Sequence, residues 1–512
     1  MSTGIDVVIA AAGLGSRMRG ISEDLHKGLL PFRDAPILWH IINEVPETLH
    51  VGLLLGHNGE QIRHFCRLAF PNRMISFVEI DDWSSEKSGT AYSLAFAKNQ
   101  LNSTFWYLPC DGVFTESIFD DESTESVFFT ASLPAGSSHK YQVFELADDG
   151  IIETSRFKVK DLIEGVAFTG IMRIVGKEEY FTSLKNSGAK EFATEIPIGA
   201  RTKHIASWRD LGNEEDYLAA RAATEKFDFT KPNEFTFVLP EIILKWWEDT
   251  KTPNEKLIKP EANKSVFPDG PKALGQFLAY DKAAGSSFYD GVTASKFSKL
   301  LSWLRNEFWD IQEIDISLAC AEFYERKTLQ RVALMSSRLE GDDYKFSSVD
   351  GLPVKSSEAY LQSIDWQLLI DTAVASPIHG DLQFDNVIFD EGQSSFTLID
   401  WRTTFGNQLV LGDIYYDFAK LLGGIRLNYK RVKENDFDVL NKSGNVTLSV
   451  PTATNAEALE RELRLMIEDM GLDFGHVQKL VPIIYWNMAP LHAEPFAQFL
   501  WAFSIKQFET LN

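Results

Sequence analysis

The sequence predicts an α/β protein made of two unlike halves, and three observations carry that expectation. Strand-length apolar runs alternate with helix-like segments as far as Ala219. The pattern then breaks in a polar stretch that contains Lys231-Pro232. Beyond it, a short strand-rich section gives way to long helical periodicity.

Taken in order, the run Asp6–Ala12 (DVVIAAA) is apolar on both alternating faces, as a strand buried in a parallel sheet must be. Further strands are expected at His50–Gly56, Ile75–Glu79 and Phe105–Pro109, with helices at Pro36–Val45 and Gly89–Leu101 between them. RAATEKFDFTKPNE, residues 221–234, marks a boundary, giving expected domains of 1–228 and 229–512. After it, Phe235–Trp247 and Gln276–Ala283 read as strands. In Phe297–Trp309, residues Phe297, Leu300, Leu301, Leu304 and Phe308 fall on one helical face. Ala456–Met470 reads as a helix with Thr454-Asn455 as capping candidates and Gly471 as its stop. No internal repeat relates the halves, so two different folds are expected.

At 512 residues the chain exceeds one ordinary core. Its net charge of −23 repels phosphodiester backbones and anionic lipid, and no basic patch offsets it. Nucleic-acid partners and membrane insertion are therefore not expected. Nucleotides stay open, because a few local cations and backbone N–H groups can hold a triphosphate. Cys66, Cys110 and Cys320 are widely spaced and odd in number, which argues against a disulfide framework or a zinc site. The N-terminal segment lacks a basic stretch before its apolar run, and no run reaches the roughly 18 apolar residues of a membrane span. A reducing, cytoplasmic location is expected.

The N-terminal chemistry begins with AAAGLGSRM. The first strand ends at Ala12, and the Gly13-Leu14-Gly15-Ser16 turn lets backbone N–H groups approach phosphate oxygens, with Arg17 adding a cationic fork. Lys27 follows, then Gly89-Thr90-Ala91 opening a helix, Asp111 closing the run FWYLPCD, and Trp208-Arg209-Asp210-Leu211-Gly212 before an acidic helix. This ordered set resembles the NTP-transferase family of sugar-phosphate and phosphocholine nucleotidylyltransferases over about residues 4–225. The resemblance implies a Rossmann-like, GT-A-like fold. It also implies that Gly13, Gly15, Ser16 and Arg17 bind the triphosphate, that Lys27 contacts phosphate, that Gly89 lies near base and ribose, and that Asp111 and Asp210 hold Mg²⁺. Arg17 and Lys27 would then be catalytic through charge, since joining two phosphates calls for cations more than for a base. His26 departs from the family pattern, which usually has Pro before this lysine. Trp208 and Cys110 read as packing residues.

The C-terminal chemistry centres on IHGDLQFDNVIF. Asp381 and Asn386 sit five apart and Asp400 follows in FTLIDW, supplying a carboxylate for an acceptor hydroxyl and two oxygen ligands for metal on ATP phosphates. HGDxxxxN followed by IDW resembles the aminoglycoside phosphotransferase and choline kinase family, with an expected extent of residues 235–512. The resemblance implies a two-lobed, protein-kinase-like domain in which Asp381 is the catalytic base, Asn386 and Asp400 bind Mg²⁺, and His379, Asp413 and Asp417 are structural. Lys245 in IILKWW is the expected ATP-gripping lysine, with Lys251 and Lys259 as alternatives. Trp401, Tyr415, Tyr416 and Trp486 read as core packing, or else as a cage for a quaternary ammonium.

Together the two motif sets predict a bifunctional enzyme. It would phosphorylate a small alcohol with ATP, then join the phosphate to a nucleotidyl group from CTP or UTP. Gly89-Thr90-Ala91 and Arg402, which replaces the acidic residue choline kinases often carry there, favour a sugar or polyol for surface polysaccharide. Choline or ethanolamine is the alternative substrate, and a catalytically silent, nucleotide-sensing half is the alternative architecture.

Overall fold

The computed structural model describes residues 4–18, 21, 24–84, 89–134, 136–157, 159, 164–187, 196–223 and 233–511. Two compact units emerge. The first groups the described residues as far as 223 with those of 233–250 and Leu274–Ala279, and the second groups Lys251–Ala273 with the described residues from Tyr280 on. They do not follow the expected division at 228/229.

In the first unit a sheet runs in the order Ile152–Phe157, Gln142–Leu146, Val166–Val175, Leu101–Pro109, Ile5–Ala11, Val51–Leu55, Ile75–Glu79. The strand Ile5–Ala11 is parallel to both its neighbours, pairing Ala10 with Leu54 on one side and with Pro109 on the other. Its apolar run is continuous because both faces are covered. Val7, Ile9 and Ala11 enter one core cluster, and Ile5 and Val8 enter another. The expected helices form as Ile37–Glu44 and Thr90–Ala97, the latter starting at an extended Gly89.

The expected strand Phe235–Trp247 is instead a hairpin, Glu234–Val238 and Ile242–Trp247, with Phe235 opposite Trp246 and Phe237 opposite Leu244. Those four side chains and Phe277 join the same cluster as Val7, Ile41 and Phe65. The Val238 N–H donates to the Asp34 carbonyl at 2.7 Å, and Gln61 Nε2 to Gln276 Oε1 at 2.8 Å. Burial of that apolar face is why the hairpin groups with the first unit.

The second unit is built around Ile414–Arg426, a helix buried at every position from Ile414 to Ile425 and packed with Phe474–Met488, itself packed against Phe496–Thr510. A helix buried on all sides belongs at the centre of a bundle. The amphipathic helix Ala294–Glu307 buries Phe297, Leu300, Leu301 and Leu304 as expected. Asn455 stands at the start of Ala456–Asp469 without a side-chain cap bond, its amide donating instead to the Val292 carbonyl. The three cysteines are free and buried. Among the described residues no helix is long and apolar enough to cross a membrane.

Candidate active sites

In the first unit, the turn after Ile5–Ala11 and the segment after Leu101–Pro109 open at the carboxyl edge of the sheet. There the chain runs from Ile5–Ala11 to Val51–Leu55 and Ile75–Glu79 on one side and returns as Leu101–Pro109 on the other, a reversal of strand order of the kind at which α/β sheets bind ligands. Gly15 adopts φ +64°, a left-handed conformation that favours glycine, and a Cβ there would lie 3.5 Å from Lys27 Cβ. The lysine thus runs past the turn, and its Nζ meets Asp111 Oδ2 at 2.6 Å. Ser16 and Arg17 are exposed.

Asp111 and Asp210 are brought together by backbone pairing. Gly112–Val113 runs antiparallel to Arg209–Asp210, and the Leu211 N–H donates to the Asp111 carbonyl at 2.8 Å. Both carboxylates crowd Gly212, where a Cβ would lie 2.7 Å from Asp111 Oδ2 and 3.0 Å from Asp210 Oδ1. Burial and the Asp111 charge raise the Asp210 pKa. Burial alone would also raise Asp111, but Lys27 overrides it and holds that carboxyl ionised. Burial works against the Lys27 ammonium as well, yet Asp111 lifts its pKa above the ordinary value. Two converging carboxylates, the charge of Asp111 adding to burial in raising the Asp210 pKa, form a donor set that fits a divalent cation. Sequence reasoning missed Tyr141, whose hydroxyl bonds Asp210 and whose ring meets Trp208 at 5.8 Å. Strand alternation gave no signal for it.

His26 explains its own departure. The Gly28 N–H donates to His26 Nδ1 at 3.0 Å, so Nε2 carries the proton and donates to the Ala11 carbonyl at 2.9 Å. Burial lowers its pKa to about 3 and keeps it neutral. The imidazole ties the Lys27 turn to the end of the first strand, where a proline would only stiffen it.

In the second unit, the Asn386–Asp400 pairing follows from a hairpin. Val387–Asp390 pairs with Ser395–Leu398 in a register that sets Val387 opposite Leu398, and the Ile399 N–H donates to the Asn386 carbonyl at 2.9 Å. Asp400 sits at φ +57°, a left-handed geometry that non-glycine residues adopt rarely and mostly where surroundings enforce it. Asn386 Nδ2 donates to the Asp381 carbonyl at 2.8 Å. That leaves its amide oxygen free to accept, and the backbone register brings Asp400, the residue after Ile399, near Asn386, so the two residues offer oxygen donors of the kind magnesium takes.

Asp381 is partly exposed and meets Lys420 Nζ at 2.6 Å. Burial pushes its pKa up, but Lys420 and Arg402 outweigh that and hold it below the ordinary carboxylate range. The loop carrying it is fixed from beneath. Asp417 accepts the His379 and Gly380 N–H groups, each at 2.8 Å, and Lys259 Nζ donates to the Ile378 carbonyl at 2.8 Å. His379 repeats the His26 device: the Asp381 N–H donates to its Nδ1, its Nε2 meets the Ile399 carbonyl, and burial lowers its pKa to about 4. Asp413 accepts from Tyr324 Oη at 2.7 Å, and burial raises its pKa to about 7.

Lys245 lies on Ile242–Trp247 in the first unit, buried, with Glu234 Oε1 at 3.4 Å and the Trp247 ring at 5.8 Å. Of the two alternatives, Lys251 pairs with Glu255 at 3.0 Å, and Lys259 is committed to the loop carbonyls. Trp401 and Trp486 are core residues, and Tyr415 stacks on His476 at 4.0 Å.

Residues 348–438 match the model of the phosphotransferase enzyme family. The chain is 33% identical over 125 residues to the bifunctional protein GlmU of Methanococcus aeolicus, a match covering 24% of this chain and 27% of that protein. It is 21% identical over 230 residues to the UTP–glucose-1-phosphate uridylyltransferase AglF of Haloferax volcanii, covering 41% of this chain and 93% of that one. The crystal structure of LicC, the CTP:phosphocholine cytidylyltransferase of Streptococcus pneumoniae, aligns at a TM-score of 0.35 with 16% identity over 43% of this chain and 100% of that chain. The chain thus joins an N-terminal region similar to nucleotidyltransferases to a C-terminal segment that matches the phosphotransferase family.

Proposed function

We propose that this chain is a bifunctional enzyme that phosphorylates a small hydroxylated metabolite and then activates the phosphate with a nucleotidyl group. The observation that carries the reading is that each unit gathers its own site: Asp111 with Asp210 beside Lys27 from stretches far apart in the chain, and Asp381 with Asn386 and Asp400 through one loop and hairpin.

In the first step the acceptor oxygen bonds to the γ-phosphorus of ATP, the bond to the bridging oxygen breaks, and ADP leaves. Asp381, ionised by its cationic neighbours, orients the hydroxyl and receives its proton. In the second step a phosphate oxygen of the new monoester bonds to the α-phosphorus of a second triphosphate, and pyrophosphate leaves. Lys27 and Arg17 face the charge that gathers there, and the Gly13–Gly15 turn brings backbone N–H groups to the phosphates. Asp111 and Asp210 in one unit, and Asn386 and Asp400 in the other, would hold magnesium, which would supply neutralisation of phosphate charge. The likeness to AglF supports a sugar phosphate as the second substrate and UTP as the donor.

Separate assays of the two half-reactions test this. Asp381→Asn should abolish monoester formation and spare nucleotidyl transfer to supplied sugar phosphates, and Asp111→Asn should do the reverse, each by about 100-fold or more. Loss of both activities in both variants would refute two independent sites.

A further inference from the structure

Around the candidate base lies an excess of positive charge that the reading so far does not use. Lys327 Nζ stands 3.3 Å from the centroid of the Phe323 ring and 5.9 Å from that of Tyr416. The Arg402 guanidinium shares the Phe323 ring at 5.3 Å, and its Nε donates to the carbonyl of Gly380, the residue before Asp381. Lys327 opens the helix Lys327–Leu334, which also carries Arg331, and it follows the π-helical segment Ala321–Arg326 that contains Phe323. Wide π turns recur at functional sites. Lys327, Arg331 and Arg402 are each partly open to solvent.

Among the described residues, none of these three cations has a carboxylate within ion-pair distance, and Asp381 already has Lys420 as its partner. Burial, followed by the charges of Arg402, Arg331 and Lys420, pushes the Lys327 pKa well down, while Asp381 is the carboxylate that raises it. In a chain with 73 acidic and 50 basic residues, three clustered cations without acidic partners are costly unless a ligand neutralises them.

We infer that the phosphotransferase site takes an acceptor alcohol that carries its own negative charge, a carboxylate or a phosphate, bound by Lys327, Arg331 and Arg402 beside Asp381. This rests on the reading of the second unit as a kinase and names its substrate class. The Phe323 face already holds Lys327, whose positive charge would repel a quaternary ammonium there, so the same cluster rejects choline-like acceptors.

The full-length protein with ATP and magnesium would be offered hydroxy acids such as glycerate and gluconate, glycerol phosphate and sugar phosphates, neutral glycerol and sorbitol, and choline, with product masses read directly. Turnover of acids or of phosphates above neutral and cationic alcohols is the expected result, and the preferred arm identifies which anion is bound. With that substrate, Lys327→Met and Arg331→Gln should raise its KM about tenfold or more and leave the KM for ATP within about twofold, with Lys327→Arg restoring most of the loss. Preference for a neutral alcohol or choline, or a rise in the KM for ATP instead, overturns the inference and leaves a kinase in place. No ATP-dependent product from any alcohol overturns the kinase reading and the inference with it.

Discussion

Lys420 sits at a decisive point beside Asp381, buried on a central helix with its ammonium 2.6 Å from the carboxylate. Replacing it with methionine removes the strongest influence that opposes burial, so the Asp381 pKa should rise. The acidic limb of the kcat/KM profile for phosphorylation should then move to higher pH, and kcat should fall about tenfold or more. An unchanged limb would show that Lys420 does not set the charge state of Asp381. Nothing in the motif HGDLQFDN points to this lysine, because it lies in another element amid apolar neighbours. Asp381, Asn386 and Asp400 were legible because loop and hairpin keep them close along the chain, whereas Tyr141 and Lys327 reach their sites only through folding.

At the scale of elements, two short turns carry the candidate chemistry, and each is fastened by a neutral buried histidine. His26 has a folded pKa of about 3 against an ordinary 6.5, so between those values the unfolded chain binds more protons. Its contribution is complete above pH 6.5 and is lost as pH falls toward 3. Asp413, raised to about 7, has the opposite sign and loses its contribution as pH climbs toward 7. Comparison with His26→Asn isolates the histidine. The stability advantage of the natural chain over that variant should shrink by about 3 kcal/mol between roughly pH 7 and pH 4. Thermal melts across that range check it, and a constant difference would mean that His26 is not the buried neutral cap. The expectation of one strand over Phe235–Trp247 overlooked Pro240, a residue that breaks a central strand and here marks the hairpin turn.

For the molecule as a whole, the Glu234–Trp247 hairpin is the feature that topology and packing divide differently. Trp246 is buried and stacks on Phe235 with ring centroids 5.6 Å apart, inside the core shared with Ile41 and Phe65. Trp246→Ala should cost about 3–5 kcal/mol and should speed hydrogen exchange in Val51–Leu55 and Ile5–Ala11 while leaving Phe474–Met488 unchanged. Faster exchange confined to the hairpin would show that it does not stabilise the first unit. Trp246→Phe should cost less, since it keeps an aromatic ring and removes an indole N–H that has no partner among the described residues.

The sequence by itself determined the alternation of strands and helices, the two-sided burial of Ile5–Ala11, and the AAAGLGSRM and HGDxxxxN segments. Those features depend on local periodicity or on residues a few positions apart. Only the tertiary structure decided that Asp210 returns to Asp111, that Lys420 holds Asp381, that the hairpin packs with the first unit, and that Lys327, Arg331 and Arg402 gather beside Asp381. Each of these joins segments distant along the chain, and such contacts arise from the burial of shared apolar surface and from sheet register, which local spacing does not encode.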